Sequence, residues 1–277
     1  MYYKRIAQIN VNHFVGTQEL LKQTILELNL GLIVICEPYA NMTHEDWEED
    51  RHDTVAVYRN GYITSPSLRM LAGRQGYIIT TWGNTIVIGV YAPPRWTIEK
   101  FENTLQEIDV QLRNMGDSAQ LIIAGDFNAK SPMWGTHRMD ERGRILMEWT
   151  AEHNVCLINN ERVSTCCRWG GESVVHLIWA TPDIIQRTKN CEVMLEMETL
   201  SDHRLIVTDY IGTETGCPNG SRRKRKKQQR NRYDTHPQLC RWAIRKINED
   251  YMLAAIQVLL WINENNSHHT SSVENLV

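Results

Sequence analysis

The chain has 277 residues, 42% of them hydrophobic and 23% charged, and a formal net charge of -3. These values are those of a globular protein able to bury a core; they exclude collagen-like, disordered and membrane-embedded classes and a uniformly basic nucleic-acid coat. The longest apolar stretch, Met252 to Ile262, contains a Gln and is too short to span a bilayer, and no secretory leader opens the chain, so an intracellular, non-secreted protein without a membrane partner is expected.

In chain order, Arg5 to Val11 reads as a strand. Thr17 is placed to cap a helix with Glu19 in its first turn and Leu21, Ile25 and Leu28 on one face. Leu32 to Cys36 and Thr54 to Tyr58 are short apolar or β-branched runs of strand type. Gly76 to Thr81 and Thr85 to Tyr91 flank Trp82-Gly83-Asn84 and predict a hairpin. Thr97 caps a second helix whose buried stripe is Phe101, Leu105, Ile108 and Leu112. Leu121 to Ala124 is a strand, Glu141 to His153 a third helix, and Ser173 to Ala180 another strand. Hairpins mixed with crossover helices predict a layered α/β domain with mixed sheets.

That domain is expected to span residues 1–212. Gly, Thr, Pro and Asn then crowd together, and Arg-Arg-Lys-Arg-Lys-Lys-Gln-Gln-Arg-Asn-Arg follows over 222–232. Residues 213–235 therefore read as a basic flexible linker, suited to phosphate contacts or to nuclear import. Over 236–277 the spacing of Leu239, Trp242, Ile247, Tyr251, Ala254, Val258 and Ile262 predicts a short helical segment. Charge divides the same way: Gly216 to Val277 carries 11 Lys and Arg against 5 Asp and Glu, leaving 19 and 28 for the rest. An acidic body precedes a basic tail.

Seven cysteines without a CxxC spacing are expected to be reduced and mostly buried. Cys166, Cys167 and His176 form only half of a zinc donor set.

Polar residues recur where strands end. Gly125-Asp126-Phe127-Asn128-Ala129-Lys130 follows the apolar strand directly, and residues two apart on extended backbone project to the same side, so Asp126 and Asn128 can address one phosphate, metal or water. Taken alone, an Asx turn explains that pair equally well. Asn10, Glu37 and Tyr91 also close strands, and Ser201-Asp202-His203 precedes the apolar run Leu205 to Val207, offering His203 as a base or metal neighbour.

As an ordered set these residues resemble the endonuclease/exonuclease/phosphatase superfamily. Gln8-Ile9-Asn10, Cys36-Glu37-Pro38-Tyr39, Val90-Tyr91, Gly125 to Ser131 with Trp134-Gly135, Asp140-Glu141-Arg142-Gly143, Gly171-Glu172-Ser173 and Glu198 to His203 are similar to the apurinic-type endonuclease domain of non-LTR (LINE-type) retrotransposons. The resemblance covers roughly residues 4 to 210. It implies a deoxyribonuclease I-like four-layer sandwich, two packed mixed sheets flanked by helices, and Mg²⁺- or Mn²⁺-dependent nicking of double-stranded DNA by a nuclear or intracellular protein, with a monomer expected. Mg²⁺ prefers oxygen ligands, so the resemblance makes Glu37 the first metal ligand, with Asn10 and Asp202 assisting. It implies that Asp126 and Asn128 position the attacking water and Tyr91 hydrogen-bonds a phosphate oxygen, and it leaves the base open between His203 and Asp126.

One position departs from the pattern. Where the family carries an Asp that accepts a hydrogen bond from the motif histidine, this chain has His176. A neutral imidazole can accept that bond but brings no charge to hold an imidazolium, which implies weakened catalysis. A degenerate, non-catalytic DNA-binding remnant is therefore the alternative expectation, and a phosphomonoesterase of the same superfamily a third. Neither a Tyr/Phe-x-Asp-Asp signature nor a Cys-Cys-His-Cys knuckle occurs before Val277, so the chain is expected to be a nuclease fragment leading toward a missing reverse transcriptase.

Overall fold

A computed structural model describes residues 2–39, 46–63, 65–115, 119–159, 163–168 and 171–212. The basic run 222–232 and the helices expected beyond Pro237 lie outside these residues.

The described chain opens with β1 (Tyr2–Asn10), α1 (Val15–Glu27) and β2 (Leu30–Cys36), followed by β3 (Trp47–Glu49) and β4 (Val55–Arg59). Next come β5 (Leu68–Arg74), β6 (Tyr77–Trp82), β7 (Thr85–Tyr91), α2 (Ile98–Arg113) and β8 (Gln120–Asp126). A 3₁₀ turn (Pro132–Trp134) leads to α3 (Glu141–Glu152), β9 (Cys156–Leu157), the small hairpin β10 (Cys166–Arg168) and β11 (Gly171–Ser173), and β12 (His176–Ala180). The short helix α4 (Pro182–Ile185), β13 (Thr188–Val193) and β14 (Ile206–Gly212) complete the described body.

Two mixed sheets result. One has the order β13-β14-β1-β2-β4-β3 and the other β5-β6-β7-β8-β12-β9. Every residue of β2 and of β7 is buried, the reading of a strand covered on both faces. Ile6, Leu32, Val34, Val57, Ile78, Val87, Ile122 and Ile178 fill the space between the sheets. On the far side of one sheet Ile33, Ile35 and Ala7 pack against Leu21 and Ile25 of α1. On the far side of the other, Ile88 and Ile123 meet Phe101, Leu105 and Ile108 of α2 and Leu146 and Trp149 of α3. Helix, sheet, sheet, helix is the four-layer order, and each fully buried Ile or Leu contributes roughly 1.5–3 kcal/mol of it.

Several local expectations hold. Thr97 caps α2, its hydroxyl accepting from the Lys100 amide at 3.1 Å. The hairpin turns through Gly83, whose φ of 62° is left-handed, with Trp82 paired to Thr85. Others are corrected. Thr17 does not cap α1: the helix begins at Val15 without a side-chain cap, and Glu19 falls beyond its first turn. Asn12 and His13 reverse the chain in left-handed backbone straight into the helix, which leaves Thr17 buried and donating from its hydroxyl to Leu200 O at 2.8 Å. The strand expected over 173–180 is interrupted at Val174-Val175, where the Val175 carbonyl accepts from the Phe127 amide instead. Of the five described cysteines only Cys36 and Cys166 are buried; Cys156 and Cys191 sit on the edge strands β9 and β13, and Cys167 follows Cys166 on the short hairpin strand β10, where successive side chains point to opposite faces.

Candidate functional site

Strand direction gathers the polar residues at one edge. β1 and β2 are parallel with Asn10 opposite Cys36, so Asn10 and Glu37 leave the first sheet together. β7 and β8 are parallel with Tyr91 opposite Asp126, and β12 runs back against β8 with His176 opposite Asp126. The pairing of Gln8 with Ile206 brings His203, just before β14, to the same end.

The side chains interlock across the two sheets. Asn10 Nδ2 donates to Glu37 Oε2 at 2.9 Å and to Asp126 Oδ2 at 3.1 Å. Tyr91 Oη donates to Glu37 Oε1 at 2.5 Å. Burial, and then the hydrogen bond to Glu37, push the Tyr91 phenol far above its usual range, so it remains a proton donor. The Asn128 amide N–H donates to Asp126 Oδ1 at 3.2 Å, closing the Asx turn, while its side chain donates to Ala92 O. Glu37 and Asn128 have φ of 50° and 45°. An Asn tolerates that region, but a Glu there is uncommon, and strain of this kind persists where surrounding contacts over-determine it.

His176 occupies the floor, fully buried. Its Nε2 lies 2.7 Å from His203 Nδ1 and 3.6 Å from Asp126 Oδ2. The ring planes are within 7° of each other; a nitrogen separation that short means the imidazoles meet edge to edge. Arg168 Nη2 donates to His203 Nε2 at 3.2 Å, and Arg168 Nε is bonded to Asp202 Oδ2. Arginine only donates. His203 Nε2 is thus the acceptor, its proton sits on Nδ1 toward His176, and the His176 proton is left on Nδ1, which is buried without a partner. Burial, with the neighbouring His176, lowers His203 to about 4. For Asp126, burial raises the carboxyl, but the neighbouring imidazoles, His176 first and then His203, and the Asn10 amide outweigh it and hold the group below its usual value.

Each sequence-selected residue, Asn10, Glu37, Tyr91, Asp126, Asn128, His176, Asp202 and His203, is therefore at this edge. Three further residues, Ser201, Arg142 and His13, brace or border this edge. Ser201 Oγ donates to Asn10 O at 3.0 Å and fixes the approach of His203. Arg142 is buried and donates to Pro93 O at 2.9 Å and Trp96 O at 2.6 Å, bracing the loop after Tyr91. His13 Nε2 stands 3.6 Å from Glu37 Oε1. The Asp140 to Gly143 motif could have pointed to Arg142; nothing in the sequence singles out His13.

Among the described residues, groups of three metal-ligand side chains are Asp126/His176/His203 and Cys166/Asp202/His203. Cys166 thus groups with Asp202 and His203, away from the half-set with Cys167 and His176. Glu37 stands apart from both and is partly open, its side chain 16% exposed against 2% for Asp126. One open carboxylate suits Mg²⁺, which binds through one or two carboxylates and keeps several waters. As placed, Asn10 turns its amide N–H to Glu37 and its Oδ1 to the Asn12 amide.

Residues 85–207 match the sequence family described as endonuclease-reverse transcriptase. The matched segment includes Tyr91, Asp126, Asn128, His176, Asp202 and His203; Asn10 and Glu37 lie upstream and meet it through the fold. No curated protein sequence matches the chain. The endonuclease domain of TRAS1, a telomere-specific non-LTR retrotransposon, is similar in structure with a TM-score of 0.64 and 22% identity, covering 75% of this chain and 98% of that one. An AP endonuclease from Archaeoglobus fulgidus follows at 0.56 and 17%, over 75% and 99%. A 3′ phosphatase from Neisseria, bound to product DNA hairpin, matches at 0.58 and 13%, over 76% and 100%. The architecture is the deoxyribonuclease I-like α/β sandwich expected from the sequence.

Proposed function

We propose that the body is a divalent-metal-dependent endonuclease that nicks double-stranded DNA, leaving a 3′-hydroxyl for target-primed reverse transcription, and that His176 slows it. The observation that carries this reading is the hydrogen-bonded set Asn10–Glu37–Tyr91–Asp126 joining the ends of four strands in two sheets. Glu37 is the proposed ligand for Mg²⁺ or Mn²⁺, with Asp202 and Asn10 near it in role. When bound, the ion supplies neutralisation of phosphate and leaving-oxygen charge. Asn10 holds Glu37 and Asp126 at a fixed separation, Tyr91 keeps a proton to share with a phosphate oxygen, and Asp126 with Asn128 orients the attacking water. His203, neutral and with its Nε2 as acceptor, is able to receive a proton. The basic run 222–232 adds non-specific phosphate affinity or nuclear import in this reading.

Plasmid nicking tests it. Mg²⁺-dependent conversion of supercoiled to open-circular DNA that disappears in Glu37→Ala is expected. Binding without nicking would favour the DNA-binding remnant, a reading that the missing carboxylate at 176 supports. Release of inorganic phosphate from monoesters without nicking would favour a phosphatase.

A further inference from the structure

His176 alters the donor chemistry at the floor of the site. Asp126 Oδ2, His176 Nε2 and His203 Nδ1 converge there, with separations of 3.6 Å and 2.7 Å from the central nitrogen and no pair of ligand atoms more than 4.8 Å apart. We propose that these three side chains form a binding site for a transition-metal ion of the Zn²⁺ or Co²⁺ class, distinct from the Glu37 position.

Bonds of about 2.0–2.2 Å to a shared ion leave ligand atoms at most roughly 4 Å apart, so small ring rotations complete the geometry. The donor set decides the class of ion. Two imidazoles and one carboxylate suit Zn²⁺ and Co²⁺, whereas Mg²⁺ takes oxygens. An Asp at 176 would leave one imidazole with two carboxylates, so the site depends on this chain's own residue.

Hydrogen bonding in the cluster is incomplete in a way that an ion would correct. As arranged, His176 Nε2 accepts from His203 and so turns no proton to Asp126 Oδ2, and the 3.6 Å between them exceeds hydrogen-bond length. Asp202 Oδ1 is buried without a hydrogen bond, 3.3 Å from His203 Nε2. Metal binding moves the His203 proton from Nδ1 to Nε2, where Asp202 Oδ1 accepts it and Arg168 stays on Asp202 Oδ2. The proton count is unchanged, and the product is a carboxylate–histidine–metal relay of the kind that orients a ligating imidazole. Asn10 and the Asn128 amide already hold Asp126. An ion seated here would withdraw Asp126 and His203 from DNA, so it would oppose nicking, but the site itself does not rest on that activity.

The experiment is calorimetric titration of the metal-free full chain with Zn²⁺ in excess Mg²⁺, with Co²⁺ absorption as the coordination probe and no DNA present. The native chain and Glu37→Gln are expected to take up one tight equivalent each. His176→Asp, which installs the family residue and keeps a small polar group, is expected to bind at least tenfold more weakly and to lose the visible Co²⁺ bands. His203→Gln serves as second variant, with the same expectation. Tight binding that survives both substitutions, loss of it in Glu37→Gln, or no tight equivalent in the native chain overturns the site.

Discussion

His203 Nδ1 lies 2.7 Å from His176 Nε2, and both rings are buried. A carboxylate in the place of His176 would fix the same tautomer and also stabilise the imidazolium as it forms. The histidine supplies only the first of these. His176→Asp is therefore expected to raise the Mg²⁺-dependent nicking rate, by up to an order of 10⁴-fold, the size of the loss when a triad carboxylate is neutralised. Initial rates on supercoiled plasmid measure it; equal rates would remove His176 from the account of activity.

The same burial makes stability depend on pH. His203 titrates near 6.5 when unfolded and is lowered to about 4 in the fold, chiefly by desolvation. Between those values the unfolded chain binds the extra proton, so stability rises with pH through this window and is fully present above about 6.5. Acidification from pH 6.5 to 4 is expected to cost up to about 3 kcal/mol from this group. Asp126, depressed below its ordinary value, adds a loss of the same sign only at still lower pH. Urea midpoints over this range should fall steeply for the native chain and less for His203→Gln; parallel curves would show that His203 is not the group responsible.

The site was legible in the sequence because its residues follow strands, and strand ends are written locally by an apolar run that stops at a polar residue. Asp126 and Glu37 are readable in this way. What brings them within reach of one Asn10 amide is the pairing of β1 with β2 and the packing of that sheet against the one that carries β8; that sheet-on-sheet packing is non-local and leaves no mark on either segment. Edge strands such as β5 and β13 escaped for a related reason. Their residues are largely exposed, so neither a continuous apolar run nor a clean alternation signals them. Thr17 misled because a hydroxyl early in a helix looks like a cap, while its bond is to Leu200, 183 residues away.

Gly125 is required by a close approach and not by its own backbone angles. A Cβ there would stand 1.9 Å from the Val90 carbonyl oxygen, in the parallel pairing of β7 with β8. Backbone on both sides cannot yield as a flexible side chain would. Gly125→Ala is expected to cost more than about 3 kcal/mol, in the range of overpacked core positions and above. Chemical denaturation measures it, and a loss under about 1 kcal/mol would mean that the two strands separate easily at this point.

Arg142 couples stability to the site. Its guanidinium donates to the carbonyls of Ala92, Pro93 and Trp96, and the helix that carries it is capped by Asp140, which accepts from the Gly143 amide at 2.7 Å and the Lys130 amide at 3.0 Å. One motif therefore ties the loop after Tyr91 to the loop after Asn128. Arg142→Met keeps most of the side-chain volume but strands those carbonyls, and a buried group left without its charged partner costs about 1–3 kcal/mol. Because Asn128 Nδ2 also bonds Ala92 O, release of this loop should shift Asn128 as well as Tyr91. Arg142→Met is thus expected to lower the denaturation midpoint and to reduce kcat for nicking more than it raises KM for DNA. A variant as stable as the native chain, or one in which KM alone changes, would show that the brace does not reach the reacting groups.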